Sequence, residues 1–232
     1  TEIPWERGMI SFKSISPDGA LFDIDEFKKS FLNRISLEGD KILNYGYAKG
    51  YKPLIDYLLE YMKQKGVSIE NKDIIITNGF TEGLEMILNT FCNPGDNVLC
   101  ENPTHNTSLK IMKILGLDII GVKMKEDGID IDELEEKLKN NKIKLGYLIP
   151  SYHNPTGIVM KAEKRQQLYN LFRKYDIPII EDGFNEELLY NSTHISPLSS
   201  IDKGGNGVIY ISSFSKILFP GMRVGWVLAD KR

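Results

Sequence analysis

The chain of 232 residues reads as an α/β fold, a mostly parallel seven-stranded sheet with helices on both faces. Three observations predict it. Short runs of β-branched and aliphatic residues recur along the chain, apolar at consecutive positions, as strands covered on both sides require. Longer segments between them carry apolar residues at helical spacing. Strand and helix alternate, so a helical crossover leads each strand to a parallel neighbour.

In order along the chain, Phe27, Phe31 and Ile35 mark an amphipathic helix over 25–36, and a second helix covers 51–65. The first strand, 74–77, passes through Asn78-Gly79 into a helix over 81–91 with Leu84, Ile87, Leu88 and Phe91 on one face. Strands over 98–101 and 119–123 flank a helix over 106–115. A charged helix over 131–139, its polar residues solvated, precedes the strand over 145–149. A helix over 162–175, with Arg165 and Arg173 assigned to its polar face, leads to the strand over 177–181. Residues 191–207 form the longest irregular stretch. Its Lys203-Gly-Gly-Asn-Gly207 is a turn, since it precedes a strand where a dinucleotide fingerprint would follow one. The last strands, 208–213 and 224–228, lie too close together for a crossover and pair antiparallel.

Lys216 carries the most chemistry. It follows the apolar run 208–214, flanked by Ser213 and Ser215, with Pro220-Gly-Met-Arg223 beyond. A lysine at the mouth of a buried strand is desolvated, its pKa falls, and the neutral amine can form a Schiff base with an aldehyde. Two hydroxyls and an arginine suit a phosphate, and an aldehyde carrying a phosphate points to pyridoxal 5′-phosphate. The plain alternative is a surface loop with a solvated lysine. Asp182 ends the strand before, where α/β folds place ligand contacts, and can hold a pyridine nitrogen protonated. Asn154, in Pro150-Ser-Tyr-His-Asn-Pro-Thr-Gly157, can donate its amide to a ring oxygen, although such a turn is often mere punctuation. Gly79 opens a helix whose first amides and dipole can bind phosphate.

The ordered set Gly79, Asn154, Asp182, Ser213-x-x-Lys216 and Arg223 resembles the fold-type-I pyridoxal-phosphate enzymes, specifically the large domain of class I and II aminotransferases. The similarity runs over nearly the whole chain. Ile15-Ser-Pro-Asp18-Gly-Ala-Leu-Phe22 and Leu43-Asn-Tyr45-Gly-Tyr-Ala-Lys-Gly50-Tyr-Lys-Pro-Leu54 resemble the branch holding 2-aminoadipate and kynurenine aminotransferases and the aminotransferase-like domain of MocR-type regulators of the GntR family, the last most closely. The resemblance implies that Lys216 forms the Schiff base and then shuttles the proton between substrate α-carbon and cofactor. It implies that Asp182 pairs with the ring nitrogen and Asn154 with the ring hydroxyl oxygen. Ser213, Ser215, Arg223 and the amides of Phe80 and Thr81 hold the phosphate; His105 stacks on the ring. Tyr45 reaches the phosphate of the neighbouring subunit, which implies a homodimer.

Three positions depart from the family pattern. His105 stands where a tyrosine is usual, Phe80 where a small hydroxyl residue is usual, and Phe184 where a tyrosine beside the ring oxygen is common. The family is also about twice as long. The resemblance divides the chain into an N-terminal arm over 1–43 and a cofactor-binding domain over 44–232, truncated before the small domain that supplies the arginine for the substrate carboxylate. The truncated chain is expected to be inactive alone.

A net charge of −3 with 41% hydrophobic residues fits a cytoplasmic globular protein and offers no basic footprint for nucleic acid. Cys92 and Cys100 are read as free buried thiols. No apolar run approaches the ~18 residues of a membrane span, no signal peptide precedes Trp5, and the three histidines lack ligand spacing. Two functions follow: amino transfer between an amino acid and a 2-oxo acid, or sensing of pyridoxal phosphate and an amine by a transcription regulator. The second needs a DNA-binding domain outside this chain.

Overall fold

A computed structural model describes residues 8, 17–184, 186–189, 194–203 and 205–231. Ile15 and Ser16, most of the arm before them, and parts of the 191–207 loop lie outside the described residues. The helices are α1 (Ile24–Glu38), α2 (Lys52–Gln64), α3 (Gly79–Phe91), α4 (Asn106–Ile114), α5 (Ile131–Asn140) and α6 (Ala162–Lys174). The strands are β1 (Lys72–Thr77), β2 (Asn97–Asn102), β3 (Asp118–Lys125), β4 (Gly128–Ile129), β5 (Ile143–Leu148), β6 (Ile179–Asp182), β7 (Val208–Ser213) and β8 (Gly225–Asp230).

Among the described residues the sheet has eight strands, not seven, in the order β1-β8-β7-β6-β5-β2-β3-β4. The additional one is β4, two residues that pair antiparallel with the end of β3. A pair that short forms no apolar run, so periodicity cannot detect it. The five-strand centre β7-β6-β5-β2-β3 is parallel throughout. β8 turns back antiparallel against both β7 and β1, as its short connection requires.

Side chains alternate across each strand, so the two faces carry separate cores. On one face Leu145, Tyr147, Ile180, Ile209 and Ile211 pack under Leu84, Ile87 and Leu88 of α3 and Ile111 and Met112 of α4. On the other, Leu148, Ile179 and Val208 meet Leu134 and Leu138 of α5 and Leu168 and Phe172 of α6. Tyr210, Trp226 and Leu228 complete that side beneath Ile55, Leu58 and Met62 of α2. Each fully buried aliphatic or aromatic side chain contributes about 1.5–3 kcal/mol. In contrast α1 buries none of its residues and leaves Phe27, Phe31, Leu32 and Ile35 exposed.

This topology gathers the chemistry at one edge. The parallel strands all end on the same side, and the chain leaves β2 towards His105, β5 towards Asn154 and β7 towards Lys216. Asp182 is itself the last residue of β6.

Candidate active site

Ten residues line one cavity of about 180 Å³ at that edge: Phe80, Thr81, His105, Asp182, Phe184, Ser213, Ser215, Lys216, Pro220 and Arg223. Eight of them are residues singled out from the sequence as cofactor ligands. Gly79 borders the same site through Arg223. Asn154 sits half-buried in the turn after β5 and does not line the cavity. Tyr45 is fully exposed and lies in a separate surface hollow with Glu38, Asn44 and Tyr51.

One end of the cavity is built by the backbone. Gly79 starts α3 at φ +75°, which a side chain rarely tolerates. A Cβ there would stand 2.5 Å from Nη2 of Arg223, so only glycine admits the guanidinium to the helix N-terminus. Arg223 is left-handed at φ 51°, and its Nη2 donates to the carbonyl of Asn78 at 3.3 Å. The hydroxyl of Thr77 donates to the carbonyl of Gly79 at 2.9 Å and braces the turn. Across the cavity the amide of Ser215 donates to Oγ of Ser213 at 3.4 Å, in the turn that leads to Lys216. Two hydroxyls, a guanidinium and the first amides of a helix thus face one space, a set that suits a phosphate dianion.

At the other end Asp182 is 2% exposed. Its Oδ2 accepts from the hydroxyl of Tyr147 at 2.7 Å and its Oδ1 from the amide of Phe184 at 3.2 Å. Burial pushes its pKa up to about 7; those two donors oppose the rise, and the nearby carboxylates of Glu101 and Glu186 reinforce it. Gly183 lets the chain turn here, since a Cβ would collide with the ring and hydroxyl of Tyr210. Lys216 is half-buried, and desolvation lowers its pKa as the sequence predicts for a nucleophilic amine. The imidazole of His105 is likewise held below its ordinary pKa, first by burial and then by the charge of Lys216.

The rings of His105 and Phe184 lie parallel, 6.3 Å apart at 14°, and Phe80 meets His105 edge-on at 5.8 Å. The sequence reading set Phe184 beside the ring oxygen. In the structure Phe184 lines the cavity and its ring has His105 as a stacking partner. Phe80 likewise replaces a hydroxyl with an aromatic wall.

Three residues of this site escaped sequence reasoning. Tyr147 and Ser108 look like core filler in a strand and a helix, yet Ser108 donates to Tyr147 Oη at 2.9 Å and meets Nδ1 of His105 at 2.9 Å. Arg165, assigned to a polar helix face, is 1% exposed. It donates to the carbonyls of Met160, Ser196 and Pro150 and to the hydroxyl of Ser151, and so pins the turn that carries Asn154. Four oxygens converging from neighbouring loops draw the guanidinium inward, and a helical charge pattern cannot show them.

The family of aminotransferases class I and II matches residues 13–232 of this chain. An uncharacterised aminotransferase of Saccharolobus solfataricus is 37% identical over 231 residues, covering 97% of this chain and 57% of the relative. An uncharacterised HTH-type transcriptional regulator of Bacillus subtilis, YcxD, is 32% identical over 221 residues, covering 95% of this chain and 49% of the regulator. Among solved structures, the α-aminoadipate aminotransferase LysN of Thermus thermophilus, complexed with N-(5′-phosphopyridoxyl)-L-leucine, superposes with a TM-score of 0.88 at 31% identity, over 97% of this chain and 57% of that one. The chain spans about half the length of the curated relatives it matches. It belongs to the class I and II aminotransferase family and has the fold-type-I architecture of that family.

Proposed function

We propose that this chain binds pyridoxal 5′-phosphate and is the cofactor-binding part of an enzyme that moves amino groups between an amino acid and a 2-oxo acid. One observation carries the reading: a buried carboxylate, Asp182, and a half-buried lysine, Lys216, face a single cavity whose far end is a phosphate cradle. The fit is electrostatic as well as steric. Asp182 is surrounded by neutral donors and other carboxylates, so a protonated ring nitrogen is the partner its burial lacks.

When bound, the cofactor supplies an electron sink for the charge that develops at a substrate α-carbon. The carboxylate of Asp182 holds the ring nitrogen charged. Arg223, Ser213, Ser215 and the amides of Phe80 and Thr81 fix the phosphate. His105 would stack on the ring, and Phe184 lines the same cavity. Nζ of Lys216, whose pKa desolvation lowers, would take and return the α-proton.

Residues 44–232 are read as the cofactor-binding domain and residues 1–43 as an arm. The absence of any buried residue in α1 supports that division. The exposed apolar side of α1, and Tyr45 outside its own chain's cavity, support a homodimer in which Tyr45 serves the partner's phosphate. The free thiols of Cys92 and Cys100 agree with a cytoplasmic protein, and no helix among the described residues is long and apolar enough to cross a membrane. A second reading, an amine-sensing domain of a transcription regulator, draws on the similarity to YcxD.

The test of cofactor binding is direct. Mixing the purified chain with pyridoxal phosphate should give a new visible absorption band, and borohydride should leave a pyridoxyl group on Lys216. Peptide mapping that finds the label on another lysine would overturn the assignment. Amino transfer itself is tested with the full-length protein, amino acid donors and 2-oxo acids.

A further inference from the structure

We propose that Ser108 and Tyr147 are positioning residues that tie the tautomer of His105 to the charge of Asp182. Four groups form an unbroken line: Nδ1 of His105 to Oγ of Ser108 at 2.9 Å, Oγ to Oη of Tyr147 at 2.9 Å, and Oη to Oδ2 of Asp182 at 2.7 Å. Ser108 and Tyr147 are fully buried and Asp182 nearly so, which leaves water no place in the line.

The direction of each hydrogen bond follows from the inventory of donors. An ionised carboxylate only accepts, so Tyr147 gives it its one proton. The phenol oxygen then accepts from Ser108, whose only hydrogen is spent. Oγ of Ser108 can therefore only accept from His105, which must carry its proton on Nδ1 and keep a lone pair on Nε2. A protonated Asp182 can donate instead, and the whole line reverses.

The reversal is a balanced proton passage. A proton bonds to Nε2 of His105; the Nδ1–H bond breaks as that proton bonds to Oγ of Ser108. The serine hydrogen passes to Oη of Tyr147, and the phenol hydrogen to Oδ2 of Asp182. One proton enters at the imidazole and one arrives at the carboxylate, with both hydroxyls restored. The surrounding charges favour that direction. Lys216 faces His105 and disfavours a cation there, while Glu101 and Glu186 face Asp182 and disfavour an anion. Burial, and after it the charge of Asp182, raises the pKa of Tyr147, which stays a phenol. If the cofactor reading above holds, a ring nitrogen bound to Asp182 keeps the carboxylate charged and so locks the stacking imidazole as its Nδ1–H form.

The tautomer is read in the purified chain without cofactor, by ¹⁵N NMR of the histidine side chains at about pH 9, above the range where Asp182 titrates. The His105→Gln spectrum assigns the resonances. His105 should show a protonated Nδ1 and a bare Nε2. Tyr147→Phe and Ser108→Ala should each abolish that pattern and leave averaged shifts. An Nε2–H tautomer in the wild type, or retention of the Nδ1–H pattern in either variant, would overturn the proposal. The wild-type measurement stands without any variant having to fold. Failure of pyridoxal phosphate to label Lys216 would strike the cofactor reading alone and leave the tautomer result intact.

Discussion

The phenol of Tyr147 donates to Oδ2 of Asp182 across 2.7 Å, and both side chains are buried. The consequence is a carboxylate solvated by one neutral hydroxyl and one backbone amide, with Glu101 and Glu186 adding repulsion. A single buried charge of this kind costs the folded chain free energy until a cation meets it. A positively charged ligand atom at that point would relieve that cost.

Asp182→Asn should separate stability from binding. The amide keeps an acceptor for Tyr147 but carries no charge, so at about pH 8 the variant without cofactor should gain roughly 1–3 kcal/mol, part of the cost that a shift from 3.8 to about 7 represents. Pyridoxal phosphate should bind more weakly, because the ring nitrogen loses its anionic partner. Urea titration and absorption measured side by side decide it. A destabilised variant with unchanged cofactor affinity would mean that Asp182 has a structural role only.

Gly79→Ala tests the cradle. The left-handed conformation costs an L-residue about 1–2 kcal/mol, and the new Cβ displaces the guanidinium of Arg223 from 2.5 Å. Losing one charged phosphate contact, worth roughly 1.5–3 kcal/mol, should weaken pyridoxal phosphate by about 10–100-fold. Pyridoxal, which has no phosphate, should lose far less. Equal losses for the two ligands would show that Gly79 and Arg223 do not meet the phosphate.

Arg165→Met should be the most destabilising of these changes. It strips donors from four oxygens and leaves Glu181 without its nearby cation, while Glu186 keeps Lys65 at 2.7 Å. Removing one partner of such a buried charged set costs roughly 3–5 kcal/mol. Arg165→Lys should rescue little, since an ammonium cannot span the fork. Chemical denaturation within about 1 kcal/mol of wild type would contradict the clamp.

Most of this architecture was legible because doubly covered strands advertise themselves. Runs such as Ile74-Ile-Ile76 and Ile209-Tyr-Ile211 need no context to be read as buried, and the short gap before β8 foretold its antiparallel pairing. Lys216, Asp182 and Arg223 were legible as polar residues placed where apolar strands end. What sequence hides is direction. Whether Tyr147 fills the core or reaches Asp182 depends on the register of β5 against β6, which pairs it with Ile180. The inward turn of Arg165 depends on carbonyls from Pro150 and Ser196. Phe184 could be placed near the ring from its spacing to Asp182, but its stacking on His105 needed both strand ends in one frame.

Stability against pH gives the final check. Burial raises the carboxyls of Asp182 and Glu181 to about 7 from ordinary values of 3.8 and 4.5. Between about pH 4 and 7 the folded chain therefore holds protons that the unfolded chain has released, and the unfolding free energy falls as pH rises. The contribution is fully present below the unfolded values and lost once pH passes the folded ones. Chain without cofactor should thus gain stability on going from pH 8 to pH 5, measured by urea denaturation. Below about pH 4 the trend should reverse, as Asp73 and Glu187, which their lysine partners hold low, become protonated. Pyridoxal phosphate should flatten the slope above pH 5, because its ring nitrogen holds Asp182 charged in the folded state. Asp182→Asn should flatten it too, leaving the share due to Glu181. A cofactor-free slope of the opposite sign would mean that neither carboxyl is held high in the folded chain, and the electrostatic case for a ring nitrogen at Asp182 would fail with it.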